Sequence, residues 1–362
     1  MVTETRDRAW SDLPIPPGEL LEEELETIGM TQTQLATRTG RPLQVINEII
    51  RGKKQITHDT AIELERVLGI PAHLWIGLEA DYQLALARQR EAEHLDAQRH
   101  WLNKFPVREM EKRGWIEKQS DPRDKVRELL RFFGVALFEA LDQTVLGFRI
   151  TSGSRVSPGA LAAWLRRGEL EARDVETRPY DREAFLTALE DIRPLTIEAP
   201  EAFVPRAREL CAKSGVALVF IPELPKSAAN GTAKWITPQK ALIQLSLRYR
   251  TNDHLWFSFF HEACHVLRHR VKEVHIDGID GPGNDELEAN TLAEDLLIPT
   301  EAWNEFVERG EFTRKAVEVF GSDVGVAPGI VVGRLQNKRL APWNSGLNQL
   351  KMSLRWVETE DD

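Results

Sequence analysis

The segment NDHLWFSFFHEACHVLRH, residues 252–269, constrains this chain more than any other. Thr251 or Asn252 caps it as a helix, and Asp253 falls in the first turn, where an acid faces the positive end of the helix dipole. Trp256, Phe257, Phe259 and Phe260 make its early turns apolar, so the helix is expected inside a core. Buried polar groups need partners, and this helix carries His261, Glu262 and His265. Three segments with strand character precede it. GVALVFIP (215–222) is apolar and β-branched, and GTAKWI (231–236) is a short second candidate. ALIQLSLRY (241–249) sets Leu245, Leu247 and Tyr249 against Gln244, Ser246 and Arg248, the pattern of a half-exposed strand. A small sheet leading into a buried helix, in a chain otherwise rich in helical periodicity, predicts an α+β, mostly helical fold.

Residues four apart on a helix share a face, so His261 and His265 can both reach one Zn²⁺ at about 2.0–2.1 Å. Glu262, beside the first of them, is placed to take a proton from metal-activated water without occupying a coordination position. A third ligand is expected from DELEANTLAEDLLIP, residues 285–299. With Ala289, Leu292 and Leu296 as the buried face, Glu288 lies on the side of Leu292, and Glu286 is about 160° away from Glu288 around the helix. The expected ligands are therefore His261, His265 and Glu288, with an open position for water, which is a catalytic rather than a structural zinc arrangement. Asp295, seven residues beyond Glu288, is expected to orient a ligand histidine. His269 continues the four-residue series as a structural neighbour. Cys264 is either an inert small hydrophobe or a redox-sensitive thiol. His254, His275, Tyr249 and Arg248 are alternatives for stabilising an oxyanion.

FFHEACHVLRH followed by ELEANTLAEDLLIP resembles the ImmA/IrrE-type metallopeptidases, which are gluzincin-like. The resemblance spans roughly residues 205–340 and includes APGIVVGRLQ. It implies that the two histidines and the Glu of the EAN segment hold the metal. It also implies cleavage of a protein partner, often a repressor, under stress or damage.

Residues 17–80 carry a second constraint. Leu20, Leu21, Leu25 and Ile28 form a helical stripe ended by Gly29, and Thr31 caps a short helix stopped by Gly40. Val45, Ile46 and Ile49 mark a third helix ending at Gly52. Ala61, Leu64, Val67 and Leu68 mark a fourth, ending at Gly69. Short helices with glycine-containing turns are the pattern of a helix-turn-helix. From Thr31 to His58 the bases Arg38, Arg41, Arg51, Lys53 and Lys54 face one acid, Glu48, a local charge of +4. Just before, Pro17–Met30 holds Glu19, Glu22, Glu23, Glu24 and Glu26 and no base. A sign reversal of this kind is what phosphate contact requires. Gln32, Gln34, Arg51, Lys53 and Lys54 are expected at phosphates, and Arg41, Gln44 and Asn47 at base edges. Residues 17–69, continued by IPAHLWIGLEADYQL, are similar to HigA-type antitoxins of the XRE helix-turn-helix family. Pro42 and Leu43 stand where that family usually has small or polar residues. The resemblance implies operator DNA bound as a homodimer, often beside a cognate toxin.

At 362 residues the chain is long enough for two or three domains. The expected division is a helix-turn-helix domain (1–82), a helical middle (83–204), a metallopeptidase-like domain (205–345) and a tail (346–362). The middle alternates charge signs and shows a helix boundary at SDPRD, a buried helix broken near Gly134 and a loop-rich stretch at 192–203. Residues 312–337 form two helical stretches about a glycine turn, read either as a packing piece or as a second helix-turn-helix. The acidic end MSLRWVETEDD is expected to fray. The net charge of −10 excludes a histone-like coat for nucleic acid. Two cysteines, Cys211 and Cys264, fit a reducing compartment. No apolar run approaches a membrane span, and MVTETRDRAW lacks a signal-peptide core, so the expected location is the cytoplasm. Two functions stand: a DNA-binding regulator fused to a zinc endopeptidase acting on a regulatory protein, and an antitoxin-like repressor whose zinc domain only senses or binds a partner.

Overall fold

The computed structural model describes residues 14–144, 156–268, 275–276 and 284–357. MVTETRDRAW, His269 and the acid-rich end ETEDD, residues 358–362, lie outside them. The chain forms two compact units, residues 1–99 and 100–362.

The first unit is helical: α1 (Pro17–Thr27), α2 (Gln32–Thr39), α3 (Leu43–Ile50), α4 (His58–Leu68) and α5 (Ala72–Ala97). Local chemistry sets the ends. Thr31 Oγ accepts from the Gln34 amide while Gln34 Oε1 accepts from the Thr31 amide at 2.9 Å, a reciprocal cap on α2. Gly40 and Gly69 stop α2 and α4 at φ +69° and +76°, a conformation L side chains resist. The stripes meet in a core of Leu21, Leu25, Leu35, Ile46, Leu64 and Trp75, all buried. A Cβ on Gly18 would come within 2.2 Å of the Ile49 carbonyl oxygen, so α1 and α3 pack this closely only with glycine there. Helix α5 runs past the boundary expected at residue 82, because residues 83–97 contain no glycine or proline to end it.

The second unit opens with α6 (Val107–Lys112), α7 (Pro122–Phe133), α8 (Glu139–Thr144), α9 (Pro158–Asp174), α10 (Arg182–Ile192) and α11 (Pro200–Lys213). Asp121 caps α7 and Pro122 takes its first turn, where the missing N–H costs nothing. Strands β1 (Val216–Phe220), β2 (Gly231–Thr237), β3 (Lys240–Leu245) and β4 (His275–Ile276) form one sheet in the order β1-β3-β2-β4. β1 runs parallel to β3, with Val216 opposite Ala241, and β2 runs antiparallel to both β3 and β4.

Strand β3 is not half-exposed. Ala241 through Leu245 are all buried, because α9 covers one face and α12 (Asn252–Arg268) the other. Gln244 is polar yet internal: its Nε2 donates to the Trp164 carbonyl at 2.7 Å. A Cβ on Gly168 of α9 would overlap the Gln244 side chain. Leu247 and Tyr249 lie beyond the strand. The middle of the chain is likewise no separate spacer. Trp164 Nε1 donates to the Ile221 carbonyl at 3.0 Å, and Phe185, Leu189 and Phe203 share one core with the sheet and α12. The stretch 192–203, read as loop, holds a 3₁₀ turn (Arg193–Ile197) and the start of α11.

Helices α13 (Asn284–Leu297), α14 (Thr300–Arg309), α15 (Arg314–Val324) and α16 (Pro328–Asn337) complete the unit. Gly325 turns α15 into α16 at 111°, and α16 packs against α12, so this pair is a packing piece. Residues 351–354 return to the start of α12. Met352 O accepts from the Asn252 amide and Met352 N donates to Asn252 Oδ1, both at 3.0 Å, and Lys351 Nζ lies 2.6 Å from Asp253 Oδ2. Among the described residues, no single helix is long and apolar enough to cross a membrane.

Candidate functional site

Helix α12 supplies His261, Glu262 and His265 from a segment that is almost wholly buried. The apolar turns ahead of them drive that burial: Phe257 lies 6.1 Å from the His261 ring, and Phe259 and Phe260 are buried in the core against each other. The two Nε2 atoms lie 3.1 Å apart. Helix α13 brings Glu286 across, with Oε2 3.2 Å from His261 Nε2 and Oε1 3.3 Å from His265 Nε2. One ligand atom from each of the three lies within 4.8 Å of the others.

The acid brought to the two histidines is thus Glu286 and not Glu288. Glu288 is exposed and pairs with Arg268 at the end of α12. The face assignment failed because the centre of the buried stripe on α13 is Ala289, Ala293 and Leu297, with Leu292 and Leu296 only on its flank. Glu286 is seven residues before Ala293 and falls on the axis of that stripe, whereas Glu288 is about 140° off it. Alanine marks the centre because a small residue lets α13 approach α12 closely.

The residue that orients His261 is Asn290, which sequence reasoning missed. His261 Nδ1 donates to Asn290 Oδ1 at 3.0 Å, which leaves the Nε2 lone pair directed at the cluster. The signal was available: Asn290 is four residues after Glu286 and shares its face. Asp295 does not take this role. Its carboxylate accepts from the Thr300 amide at 2.9 Å and hydroxyl at 2.6 Å, capping α14, and these bonds hold its pKa below the usual value. Glu262 is fully buried beneath β2, where a Cβ on Gly231 would come within 2.9 Å of its Cγ and Oε1. Cys264 is fully buried, and desolvation pushes its thiol up to about 12, the behaviour of a small hydrophobe.

Tyr249 and His254 stack at 4.3 Å between ring centroids, away from the cluster. His254 precedes His261 by seven residues, about 10.5 Å along the helix axis, beyond hydrogen-bond reach of atoms at the cluster. Arg248 donates to the Ala228 carbonyl and stands over Tyr249. The side chain of His275 lies outside the described residues. A peptide lying along β3 is excluded by topology, since β3 sits between β1 and β2 with both edges paired.

On the first unit, Leu43, Gln44, Asn47, Glu48, Arg51 and Lys53 line one shallow concavity on and after α3. Arg51, Lys53 and Lys54 are exposed, and Gln32 is half-buried at the start of α2. Two expected contacts are committed elsewhere. Arg41 is paired with Glu63 on α4, and Gln34 uses its amide oxygen in the α2 cap. Glu48, which entered above only as a charge, occupies the middle of the face: it accepts from Gln44 Nε2 at 2.8 Å and lies 3.9 Å from Lys54 Nζ.

Comparison with known proteins finds two families. Residues 21–75 match the helix-turn-helix family and residues 212–327 the IrrE N-terminal-like domain family. Over 76 residues the chain is 40% identical to virulence-associated protein I of Dichelobacter nodosus, covering 21% of this chain and 70% of that protein. Similar solved structures include an addiction module antidote protein of the HigA family from Coxiella burnetii, 31% identical over 24% of this chain and 94% of that one, with a TM-score of 0.22. The Pseudomonas aeruginosa antitoxin HigA, solved with the higBA promoter, is 30% identical over 24% and 95%, with a TM-score of 0.23.

Proposed function

We propose, from the matches of residues 21–75 to the helix-turn-helix family and of residues 212–327 to the IrrE N-terminal-like family, that the chain is a DNA-binding regulator joined to a zinc endopeptidase that cleaves a regulatory protein. The observation that carries the enzymatic half is the donor set. Tetrahedral zinc with bonds of about 2.0–2.1 Å separates its ligand atoms by about 3.3–3.4 Å. The two Nε2 atoms are 3.1 Å apart and each has its own Glu286 carboxylate oxygen at 3.2 or 3.3 Å, so the three groups close around one point at nearly that spacing. Two neutral imidazoles and one carboxylate also match the ligand preference of a catalytic zinc.

Zinc held there would supply Lewis-acid polarisation of a peptide carbonyl and acidify water. The chain's own residues do the rest. His261 is fixed by Asn290 in the tautomer that offers Nε2. Glu262, on the turn of the two histidines and held down by Gly231, accepts the proton of the attacking water and returns it to the leaving amine. Burial of the whole turn excludes bulk water from the proton's path.

For the first unit, α3 and the basic turn after it face operator DNA, with Arg51, Lys53 and Lys54 at phosphates and Gln44, Asn47 and Glu48 toward bases. The exposed apolar side chains Ile62, Leu74 and Leu78 on α4 and α5 offer a surface to a second copy, consistent with a homodimer on a two-fold operator. A cytoplasmic location and a toxin partner accompany this reading.

Glu262→Gln tests the enzymatic half. It keeps both histidines and Glu286, so zinc binding is expected at wild-type level while cleavage falls about 10²–10⁴-fold. Producing cells carrying either form are compared under DNA damage and oxidative stress, following the levels of full-length regulatory proteins. Stress-dependent loss of such a protein in the wild type alone supports the peptidase; identical profiles favour a zinc domain that senses or binds without hydrolysis.

A further inference from the structure

A cavity of about 240 Å³ is lined by residues of α12, α13 and α16. Its polar corner is Asp253 of α12, Glu294 of α13 and Arg334 of α16. Asp253 stands eight residues before His261 and Glu294 eight after Glu286, so each lies about 12 Å along its helix from the cluster. His261, His265 and Glu286 take no part in the lining, and the cavity is a separate site. Ile330, Gly333, Arg334, Asn337 and Trp343 complete it, all beyond the residues that match the IrrE-like family.

An account of the corner's polar atoms leaves two over. Gly333 lets Asp253 approach α16, since a Cβ there would come within 2.7 Å of Asp253 Oδ2. That oxygen faces Lys351 Nζ at 2.6 Å. Glu294 faces Lys338 Nζ at 2.7 Å and Arg334 Nη2 at 3.6 Å. Arg334 Nη1 donates to the carbonyls of Glu294 and Ile298, at 3.1 and 2.8 Å. Asp253 Oδ1 and Arg334 Nε are also buried, and among the described residues neither has a hydrogen-bond partner. Asp253 is 6% exposed and the Arg334 side chain 10%. One acceptor and one donor, on residues that meet at Gly333, are thus left at the same corner, where unpaired polar atoms are costly.

That corner sets the chemistry of an occupant. Every charge in it already has an opposite charge, so an anion or a cation entering would lose hydration without gaining a counter-charge. A neutral amide brings what the two atoms lack, an N–H for Asp253 Oδ1 and a C=O for Arg334 Nε. The remaining lining suits a flat ring. Phe257, Leu297 and Ile330 are apolar, and Tyr249 and Trp343 add aromatic faces that are 49% and 61% exposed. Tyr249 is braced by its stack on His254, and the Trp343 carbonyl accepts from Asn348 Nδ2 at 2.7 Å. Aromatic faces favour offset stacking with a planar ligand. An apolar cavity of about 150 Å³ holds benzene, so this volume admits a ring bearing an amide.

We propose that this cavity binds a small neutral aryl or cyclic amide, the chemistry shared by nicotinamide and a nucleobase such as thymine, held by Asp253 Oδ1 and Arg334 Nε. Asp253 also anchors Lys351, so a bound amide adds to the fastening at the start of α12. The site does not depend on what the histidine cluster holds. Isothermal titration of the full chain, with and without prior chelator treatment, compares four ring compounds of similar size. Benzamide carries both donor and acceptor, acetophenone the acceptor alone, benzoate a negative charge and benzylamine a positive one. Benzamide is expected to bind about tenfold to a hundredfold more tightly than the other three, before and after chelation. Nicotinamide and thymine then tell an exocyclic amide from a ring amide. Two exposed positions probe the walls: Trp343→Ala removes an aromatic face and Asn337→Trp crowds the cavity. Both should weaken benzamide while leaving the thermal unfolding midpoint of the free chain unchanged. Equal affinity for benzamide and acetophenone, tighter binding of benzoate or benzylamine, or benzamide binding untouched by both variants overturns the proposal. Failure of benzamide, nicotinamide and thymine alike overturns it too, and leaves the two buried atoms to water.

Discussion

The two functional regions of this chain place their chemistry in opposite surroundings. On α12 the key side chains are buried, and their spacing is internal to one helix. On α2 and α3 the candidate contacts lie at the surface, among neighbours supplied by other helices. Spacing within a helix survives folding unchanged, because 3.6 residues per turn is a property of the backbone. Assignments that depend on where a second helix docks do not survive in the same way. Arg41 was expected at a base edge and is paired with Glu63 of α4. Glu288 was expected at the metal and is paired with Arg268. Both errors concern a charged side chain whose partner sits on another element.

The sharpest way to break this contrast is to exchange the two acids of α13. Glu286→Ala is expected to abolish stoichiometric zinc binding, whereas Glu288→Ala retains about one zinc per chain, and elemental analysis of the purified variants decides between them. Zinc kept by Glu286→Ala would return the third ligand to another residue.

A smaller effect is expected from Asn290→Ala, which leaves all three donors in place and frees the His261 ring. Loss of such an outer partner typically costs about 10–100-fold in metal affinity. Competition against a fluorescent chelator measures it, and an unchanged affinity would mean that the 3.0 Å hydrogen bond does not position the ring.

At the surface site, replacing Lys53 and Lys54 together should weaken binding to all duplex sequences. It should also flatten the dependence of log affinity on log salt by about 0.9 for each phosphate that is no longer neutralised. Titrations of the full chain at several salt concentrations read this out. Weakening confined to one sequence would place these lysines at bases instead.

The smallest effect is expected from Arg41→Ala. The pair with Glu63 is partly exposed, so its removal should lower stability by about 0.2–1 kcal/mol. Base preference should stay as it was, since Arg41 is turned toward α4. A changed operator preference in a binding-site selection would show that Arg41 leaves Glu63 to read DNA.

Much of the first unit was legible because its punctuation is local. Thr31, Gly40 and Gly69 act within one or two residues of the helix ends they set. The shared face of His261 and His265 was legible for the same reason. The extent of the second unit was not. Gln244 looked like the polar face of a half-exposed strand, yet its partner is a backbone carbonyl 80 residues away on α9. The orienting role of Asn290 is hidden in the sequence because the leucines Leu292 and Leu296 dominate the pattern of α13, while Ala289 and Ala293 lie nearer the centre of its buried stripe. Small residues buried by close helix approach carry less sequence signal than large ones, although they report docking more faithfully.

The latch between residues 351–354 and the start of α12 bears on how the protein is made. Asn252 and Asp253 receive their partners from Met352 and Lys351, about a hundred residues later in synthesis. His261, His265 and Glu286 all emerge from the ribosome well before the segment that fastens α12. A chain broken off before residue 351 would carry a complete helix-turn-helix unit and a full set of ligands, but an unfastened α12. Pulse-labelled stalled chains of increasing length, probed by limited proteolysis at the start of α12, should gain protection only once residues 351–354 have cleared the tunnel. The IrrE-like half would then mature last, so an interrupted translation product would carry a finished helix-turn-helix unit beside an unfinished second unit.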